Sequence, residues 1–357
     1  MIYIRADMNE QIATGHIMRC LSIADALRGL GEPVRFILAD EQAVSLLEQR
    51  GYDAIVLHTQ WNCMEEELSV LSQVIRNEHI DKLLIDSYQV TQRYLAELSK
   101  LVTTFYIDDL NLFEYPVDAV ICYATTTGKE VNHEFEYPVD AVICYANYWK
   151  KFQYKINDKR TTYLLGMKYV PLKQAFWNCE AKIISEKANN LLILTGGSDP
   201  FNVTEQILDS IDTYQFQTID VICGIYNTNY NKFVKKYENN KNIKFHQAVN
   251  NIEQYMKKAD IAISAGGMTL YELCAIGTPA ISFSFADNQL DNVRQFQEDG
   301  LIDYAGDARM DDIAGTINQY LTRYRNDFEL RKEKSEKMQK MVDGKGAERI
   351  ARAIVTL

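Results

Sequence analysis

No apolar run in this chain approaches the roughly 18 residues of a membrane-spanning helix. There is no C-x-x-C pair and no Cys/His cluster, and the seven cysteines are scattered. They read as reduced core thiols, which excludes a disulfide framework and a metal site. There is no G-x-x-x-x-G-K-S/T loop, which excludes a P-loop nucleoside triphosphatase. Basic charge is scarce: 38 Lys and Arg against 49 Asp and Glu leave a net charge of −11. A nucleic acid demands a basic face, so none is expected as partner. A single nucleotide, which needs only a few backbone donors, stays allowed. Arg5 and Asp7 interrupt the N-terminus too early for a signal peptide, so a cytoplasmic protein without a membrane partner is expected.

What is present is the composition of a globular protein, 47% apolar and 24% charged. Its 357 residues are too many for one ordinary core and suit two domains. Short apolar strands are expected at Ile2–Ala6, Val34–Leu38, Ala54–Leu57, Lys82–Asp86 and Thr104–Ile107, with helices between them that include Glu41–Gln49 and Thr91–Lys100. The pattern restarts with strands at Asn190–Thr195, Thr218–Ile222, Lys244–His246, Ile261–Ser264 and Ala280–Ser284. Helices at Val203–Asp212, Tyr230–Tyr237, Ile252–Lys257 and Thr269–Ala275 separate them. Such alternation implies an α/β class with parallel sheets, here two Rossmann-like domains facing a cleft. The boundary falls in the polar, helical stretch Lys173–Asn189, and Asp327–Leu357 is helical and charged. The domains are therefore placed at 1–180 and 190–345, with a terminal helix at 346–357 that can pack back across the boundary.

FEYPVDAVICYA occurs at Phe113–Ala124 and again, letter for letter, at Phe135–Ala146. Twelve identical residues mark a tandem duplication rather than a solenoid, which needs more copies. VDAVICYA is a good buried strand, and a sheet is expected to have one slot for it. The other copy, with TTTGKEVNHE, is expected as a surface excursion or an added edge strand.

Three groups carry chemistry. In the first, the strand Ile2–Ala6 leads through a polar turn to Gly15 and His16. From there Ile17, Leu21, Ala24 and Leu27 give the period of an amphipathic helix, closed by Gly29 and Gly31. An imidazole, a base near neutral pH, thus sits where a strand's carboxyl end meets a helix N-terminus. In the second, Asp86-Ser87-Tyr88 and Asp108-Asp109 follow the strands KLLID and TFYID and emerge at the same edge. Asp86 and Asp108 either face a ligand or cap helices, and Tyr88 either lines the site or packs. Arg19, one turn after His16, either orients substrate or pairs with Asp7. His58, His79, His133 and His246 lack such a context and read as structural.

In the third group, Gly196-Gly197-Ser198-Asp199 and Gly266-Gly267-Met268-Thr269 each follow a strand and precede a helix. Glycine lets backbone amides approach a phosphate, and the helix dipole favours the anion. Several such contacts can hold a diphosphate without lysines. Glu272 lies one turn into its helix, where a carboxylate can accept ribose hydroxyls.

IRADMNEQIATGHIMRCLSIADAL, LLIDSY, YIDDL, YLLGMKYVPLKQAF, ILTGGSDP and ISAGGMTLYELCAIGTPAI follow one another in the order of the PseG family. The chain resembles these UDP-2,4-diacetamido-2,4,6-trideoxy-β-L-altropyranose hydrolases of pseudaminic acid biosynthesis, which are related to the spore coat polysaccharide protein SpsG. The likeness runs over nearly the whole chain, the duplicated segment being the departure. It implies a two-domain GT-B fold like that of MurG, and a UDP-linked amino sugar as substrate. It implies hydrolysis of the anomeric C–O bond with inversion, without metal or cofactor. By resemblance His16 is the general base, with Tyr88 and Asn288 as further catalytic or sugar-site residues. Gly15, Arg19, Asp86 and Asp108 would line the sugar side. Gly196, Gly197, Ser198, Gly266, Gly267, Met268, Thr269 and Glu272 would hold UDP, with Val249, Asn250 and Ile252 at the uracil. The resemblance leaves the exact sugar open. A monomer is expected. Two other functions fit the same residues: a GT-B glycosyltransferase using a UDP-sugar donor, and a nucleotide-sugar-binding homologue impaired by the duplication.

Overall fold

The computed structural model describes residues 1–9, 11–12, 14–108, 113, 115–122, 139–151, 161–224 and 227–357. They form two compact units, Met1–Gln174 with Lys345–Leu357, and Ala175–Gly344.

The first unit alternates β1 (Ile2–Ala6), α1 (Gly15–Gly29), β2 (Val34–Leu38), α2 (Val44–Gln49), β3 (Ala54–Val56), α3 (Met64–Asn77), β4 (Lys82–Asp86), α4 (Gln92–Leu98) and β5 (Thr103–Asp108). Then β6 (Ala119–Cys122), β7 (Ala141–Cys144) and β8 (Thr162–Leu165) follow. The strands make one sheet in the order β3-β2-β1-β4-β5-β6-β7-β8, parallel throughout. Strands covered on both faces read as continuous apolar runs, and all five residues of β1 are buried. One core gathers Tyr3, Leu71, Leu83, Ile85, Tyr94, Tyr106, Val120 and Val142.

Each copy of the duplicated segment contributes a strand. β6 and β7 lie side by side in the sheet interior, each residue opposite its own duplicate: Ala119 with Ala141, Val120 with Val142, Ile121 with Ile143, Cys122 with Cys144. The expected single slot is therefore corrected, and neither copy is an edge strand. A parallel strand whose residues are apolar on both faces can neighbour itself. An inserted copy then offers the next strand the same edge that the first copy offered. Backbone bonds repeat accordingly: Asp140 N donates to Asp118 O and Thr162 N to Asp140 O, both at 2.8 Å. The segment between the copies, residues 125–134, lies outside the described residues.

The second unit runs β9 (Asn190–Leu194), α5 (Val203–Ser210), β10 (Thr218–Cys223), α6 (Tyr230–Lys236), β11 (Ile243–Gln247), α7 (Ile252–Lys258), β12 (Ile261–Ala265) and α8 (Thr269–Ile276). It continues with β13 (Ala280–Ser284), α9 (Asp287–Glu298), β14 (Ile302–Asp307), α10 (Ile313–Asn326) and α11 (Phe328–Met341). The sheet order is β11-β10-β9-β12-β13-β14, again parallel. The last helix, α12 (Gly346–Thr356), packs on α1 of the first unit through a face that includes Ile350 and Ile354. Lys82 Nζ closes its end with 2.8 Å bonds to the carbonyls of Ile354 and Val355.

One helical expectation is corrected. Lys173–Asn189 is not a helix beyond a 3-10 turn at Gln174–Phe176. Side chains satisfy its backbone instead: Arg331 donates to the carbonyls of Ser185 and Glu186 at 2.7 and 2.8 Å, and Gln339 to that of Glu180 at 2.9 Å. The charged stretch from Asp327 is helical, in α11 and α12, with Gly344 at φ +74° between them. There a Cβ would lie 2.2 Å from the Phe176 carbonyl oxygen.

Candidate functional site

Each sheet reverses its winding once. In the first, the chain steps outward from β1 to β3, then restarts on the other side of β1 with β4, so Ala6 pairs with Asp86. In the second the reversal lies between β9 and β12, where Leu194 pairs with Ser264. Ligands of open α/β sheets bind beyond the carboxyl ends of the strands at these reversals.

At the first reversal, His16 opens α1 and Asp86 ends β4. His16 Nδ1 lies 2.6 Å from Asp86 Oδ1. Arg19 grips the same carboxylate with two bonds, Nε to Oδ2 and Nη2 to Oδ1, both 2.6 Å. Burial alone would raise the Asp86 carboxyl, but Arg19, and after it His16, outweigh burial and hold it well below the usual carboxylate range. An ionised carboxylate only accepts, so the short contact assigns the proton to Nδ1 and leaves Nε2 as the acceptor. The longer 3.3 Å approach of Arg19 Nη2 to Nδ1 is the weaker competitor. Tyr88, 41% exposed, sets its ring edge-on to the imidazole with centroids 4.4 Å apart.

The structure thus brings together His16, Arg19, Asp86 and Tyr88. Asp86, 1% exposed, serves the imidazole and Arg19, so the expectation that it faces a ligand is corrected. It caps no helix either; Thr91 caps α4 by accepting from Tyr94 N. Arg19 pairs with Asp86 and not with Asp7. Asp108, also 1% exposed, accepts the Tyr115 hydroxyl at 2.7 Å. Gly15 starts α1, and a Cβ there would meet nothing within 4 Å, so neither packing nor φ demands glycine.

Asp7 belongs to a different, fully buried cluster beneath the β1 loop. Arg5 Nη1 donates to Asp7 at 2.5 Å, and its Nε and Nη2 fork onto Glu67 at 2.9 and 2.8 Å. Tyr94 OH donates to Glu67 at 2.7 Å, and Ala39 N to Asp7 at 2.8 Å. The cluster ties β1, α3, α4 and the end of β2 together below the His16 turn. Sequence reasoning missed Glu67. Its signal is the spacing Met64, Glu67, Leu71, Ile75, which puts it on the buried face of α3.

At the second reversal the two glycine pairs differ. The turn after β9 does not open α5 directly, since the helix starts only at Val203. Its first donors are taken: Asp199 accepts Val203 N at 2.7 Å and Thr204 N at 3.1 Å. The expected anion site at the α5 N-terminus is therefore corrected, because the chain's own carboxylate fills it. Gly196 holds φ +82°, and the backbone of Gly197 is packed by Gly224, whose added Cβ would lie 2.2 Å from the Gly197 oxygen. Gly196, Gly197 and Ser198 are exposed and keep their own backbone, and Ser198 its hydroxyl, for a ligand.

The turn after β12 runs straight into α8, whose first turn has no side-chain cap. Gly266 is explained by packing, since a Cβ would lie 2.2 Å from Val293 Cγ1 on α9. Asn292, held by the Tyr271 hydroxyl at 2.8 Å, donates to the Gly266 carbonyl at 2.9 Å. Gly267 faces open space, and with Met268, Thr269 and Glu272 it is half-buried at this helix start. Asn288 is exposed on the first turn of α9, at the carboxyl end of β13. Val249, Asn250 and Ile252 lie after β11, three strand spacings from β12, roughly 14 Å along the edge. Among the described residues no group of three or more His, Cys, Asp or Glu could hold a metal ion, and no helix is long and apolar enough to cross a membrane.

Residues 191–350 match the glycosyltransferase family 28 C-terminal domain. The chain is similar to an uncharacterised protein of Methanocaldococcus jannaschii, 26% identical over 290 residues, which covers 78% of this chain and 54% of that protein. It is similar to the spore coat polysaccharide biosynthesis protein SpsG of Bacillus subtilis, 26% identical over 52% of this chain and 56% of SpsG. The chain therefore spans about half the length of these curated relatives. Among solved structures, Acinetobacter baumannii MurG superposes with a TM-score of 0.67 at 12% identity, covering 100% of this chain and 99% of MurG. The fold is thus that of the GT-B glycosyltransferases: two Rossmann-like units with parallel sheets of eight and six strands.

Proposed function

We propose that this protein hydrolyses a UDP-linked amino sugar. The reading is carried by the 2.6 Å bond from His16 Nδ1 to Asp86 at the first sheet's reversal. It leaves Nε2 to take a proton from water. The water oxygen then bonds to the anomeric carbon as the C–O bond to the diphosphate breaks. The bonding pair leaves with UDP, and the anomeric configuration inverts. A positioned base of this kind typically contributes about 10²–10⁴ in rate. Tyr88, beside the imidazole and partly exposed, would contact the sugar. Asn288, exposed at the carboxyl end of β13, would be a further polar residue for the substrate.

UDP would be held by the second unit. The uncapped start of α8 offers backbone donors and dipole to the diphosphate. Glu272 would take the ribose hydroxyls, and Val249, Asn250 and Ile252 the uracil. The resemblance to the PseG pattern, and the likeness to SpsG, favour a 2,4-diacetamido-2,4,6-trideoxy sugar. The test is incubation with UDP-linked diacetamido sugars and no acceptor, following UDP release and the anomer first formed. UDP released with an inverted free sugar supports hydrolysis; no release without an acceptor overturns it.

The second reading is a glycosyltransferase, favoured by the family 28 match over residues 191–350. The same UDP site would serve it, and UDP release would then depend on an added acceptor. UDP binding without turnover under either condition would identify a nucleotide-sugar-binding protein.

A further inference from the structure

We propose that Lys182 is a site of acylation by small acyl phosphates, which reach its amine through a cavity in the second unit. The cavity measures about 530 Å³. Its lining includes Trp177, Cys179, Glu180 and Lys182 from the segment before β9, Lys257 in the last turn of α7, and Ile276 at the end of α8. These two helices end just before β12 and β13 begin, so the cavity lies at the amino edge of this sheet, away from the glycine turns at its carboxyl edge. The volume falls within the roughly 300–1,000 Å³ of small-molecule sites, which is room for a short acyl group with its phosphate.

Lys182 Nζ donates to the carbonyls of Lys257 at 2.6 Å and Met256 at 3.3 Å, in the last turn of α7. An ammonium has three N–H donors and a neutral amine two. The two carbonyls use both donors of the amine and leave its lone pair unbonded. Burial pushes the Lys182 amine down to about 8, against the opposing effect of Asp260. The neutral form is then a sizeable fraction near neutral pH, where an ordinary lysine holds about one part in a thousand. Cys179, the other nucleophile of the lining, is a poor competitor. Burial raises its thiol above the ordinary range, and its Sγ donates to the Phe176 carbonyl at 3.4 Å. Lys257 brings positive charge to the cavity and is felt at Cys179, so an anionic phosphate has a partner there. Glu180, the one carboxylate of the lining, is exposed. In the step, the Nζ lone pair bonds to the acyl carbonyl carbon. The C–O bond to the phosphate breaks and its electron pair leaves on the phosphate, which takes one N–H proton. The product is a neutral amide with one N–H left for the two α7 carbonyls.

The test needs no turnover, so it stands apart from the fate of the hydrolase proposal. The full-length folded protein is incubated with acetyl phosphate near neutral pH, and the acetylation of each lysine is followed by mass spectrometry of its peptides. Lys182 is expected to react at least about tenfold faster than the exposed Lys241 and Lys257. Its larger neutral fraction favours it by roughly a hundredfold, which the weaker nucleophilicity of a less basic amine and half-burial partly offset. Equal rates at Lys182 and Lys257 in the folded protein overturn the site. In urea the preference should vanish; a preference that survives unfolding belongs to the local sequence and overturns the role of the cavity. Lys257→Gln should slow acetylation of Lys182 by acetyl phosphate about threefold, the worth of one partly screened charge pair. The same variant should leave labelling of Lys182 by uncharged p-nitrophenyl acetate unchanged. An unchanged rate with acetyl phosphate overturns the seating of its phosphate beside Lys257.

Discussion

At the reversal of the first sheet four side chains meet: an imidazole, a carboxylate, a guanidinium and a phenol ring. At the reversal of the second, the main chain is what the turn after β12 offers, through Gly267 and an uncapped helix start. The difference teaches how one architecture divides labour. Under the proposed hydrolysis, moving a proton would need a group with a fixed tautomer, which the buried Asp86–Arg19 pair of the first unit would give to His16. Holding a diphosphate needs many weak donors, which a helix N-terminus supplies without titratable groups. The comparison recurs inside the second unit, where one glycine turn meets a helix already capped by Asp199 and the other does not.

If that division holds, damage to the first edge should appear in turnover and damage to the second in nucleotide affinity. The largest effect is expected from His16→Ala, which should lower kcat by about 10²–10⁴ while UDP affinity measured by calorimetry stays the same. A parallel loss of UDP binding would break the comparison. Asp86→Asn should approach that loss, because an amide no longer fixes the Nδ1–H tautomer. It should also reshape acid stability. The folded Asp86 carboxyl lies below its unfolded value, so the ion pair stabilises fully above about pH 4 and is lost as pH falls further. The stability curves of wild type and Asp86→Asn, followed by urea unfolding, should converge on acidification.

Smaller effects sharpen the contrast within the second unit. Glu272→Ala should weaken UDP binding by roughly 1.5–3 kcal/mol, the worth of a charged hydrogen bond, with little change in the rate at saturation. Asp199→Ala should instead cost about 0.5–2 kcal/mol of folding stability, the worth of an N-cap. Lost UDP affinity in Asp199→Ala at unchanged stability would mean that the first glycine turn carries the phosphate after all. The neighbouring glycines make the finest test. Gly266→Ala should destabilise by about 1–3 kcal/mol against Val293. Gly267→Ala should stay within about 0.5 kcal/mol in thermal unfolding, so any fall in its UDP affinity reports on ligand contact.

Much of this was legible in the sequence because it is local. Strands such as β1, β2, β4 and β13 announce themselves as short apolar runs, and residues just past a strand end must emerge at one sheet edge. That reasoning puts His16, Asp86 and Tyr88 on a common edge. It cannot say that Arg19 turns to Asp86 and leaves Asp7 to Arg5. That choice depends on β4 being the neighbour of β1 that sets Asp86 beside Ala6, and strand order is non-local. The Asp199 cap was hidden for a similar reason: in GGSDPFNV the glycines draw attention, while the aspartate four residues before Val203 closes the helix. Lys173–Asn189 misled by its polar, helix-like composition. What decides it is the reach of Arg331 and Gln339 from α11, some 145 to 160 residues along the chain.

The two identical strands have a consequence for how this gene's length can change. Excision of one 22-residue unit, from Phe113 to Glu134, would set the remaining copy beside β5, and β8 would still meet the same four residues on its other side. Gain and loss of the unit are then steps between two sheets with the same chemistry at every seam.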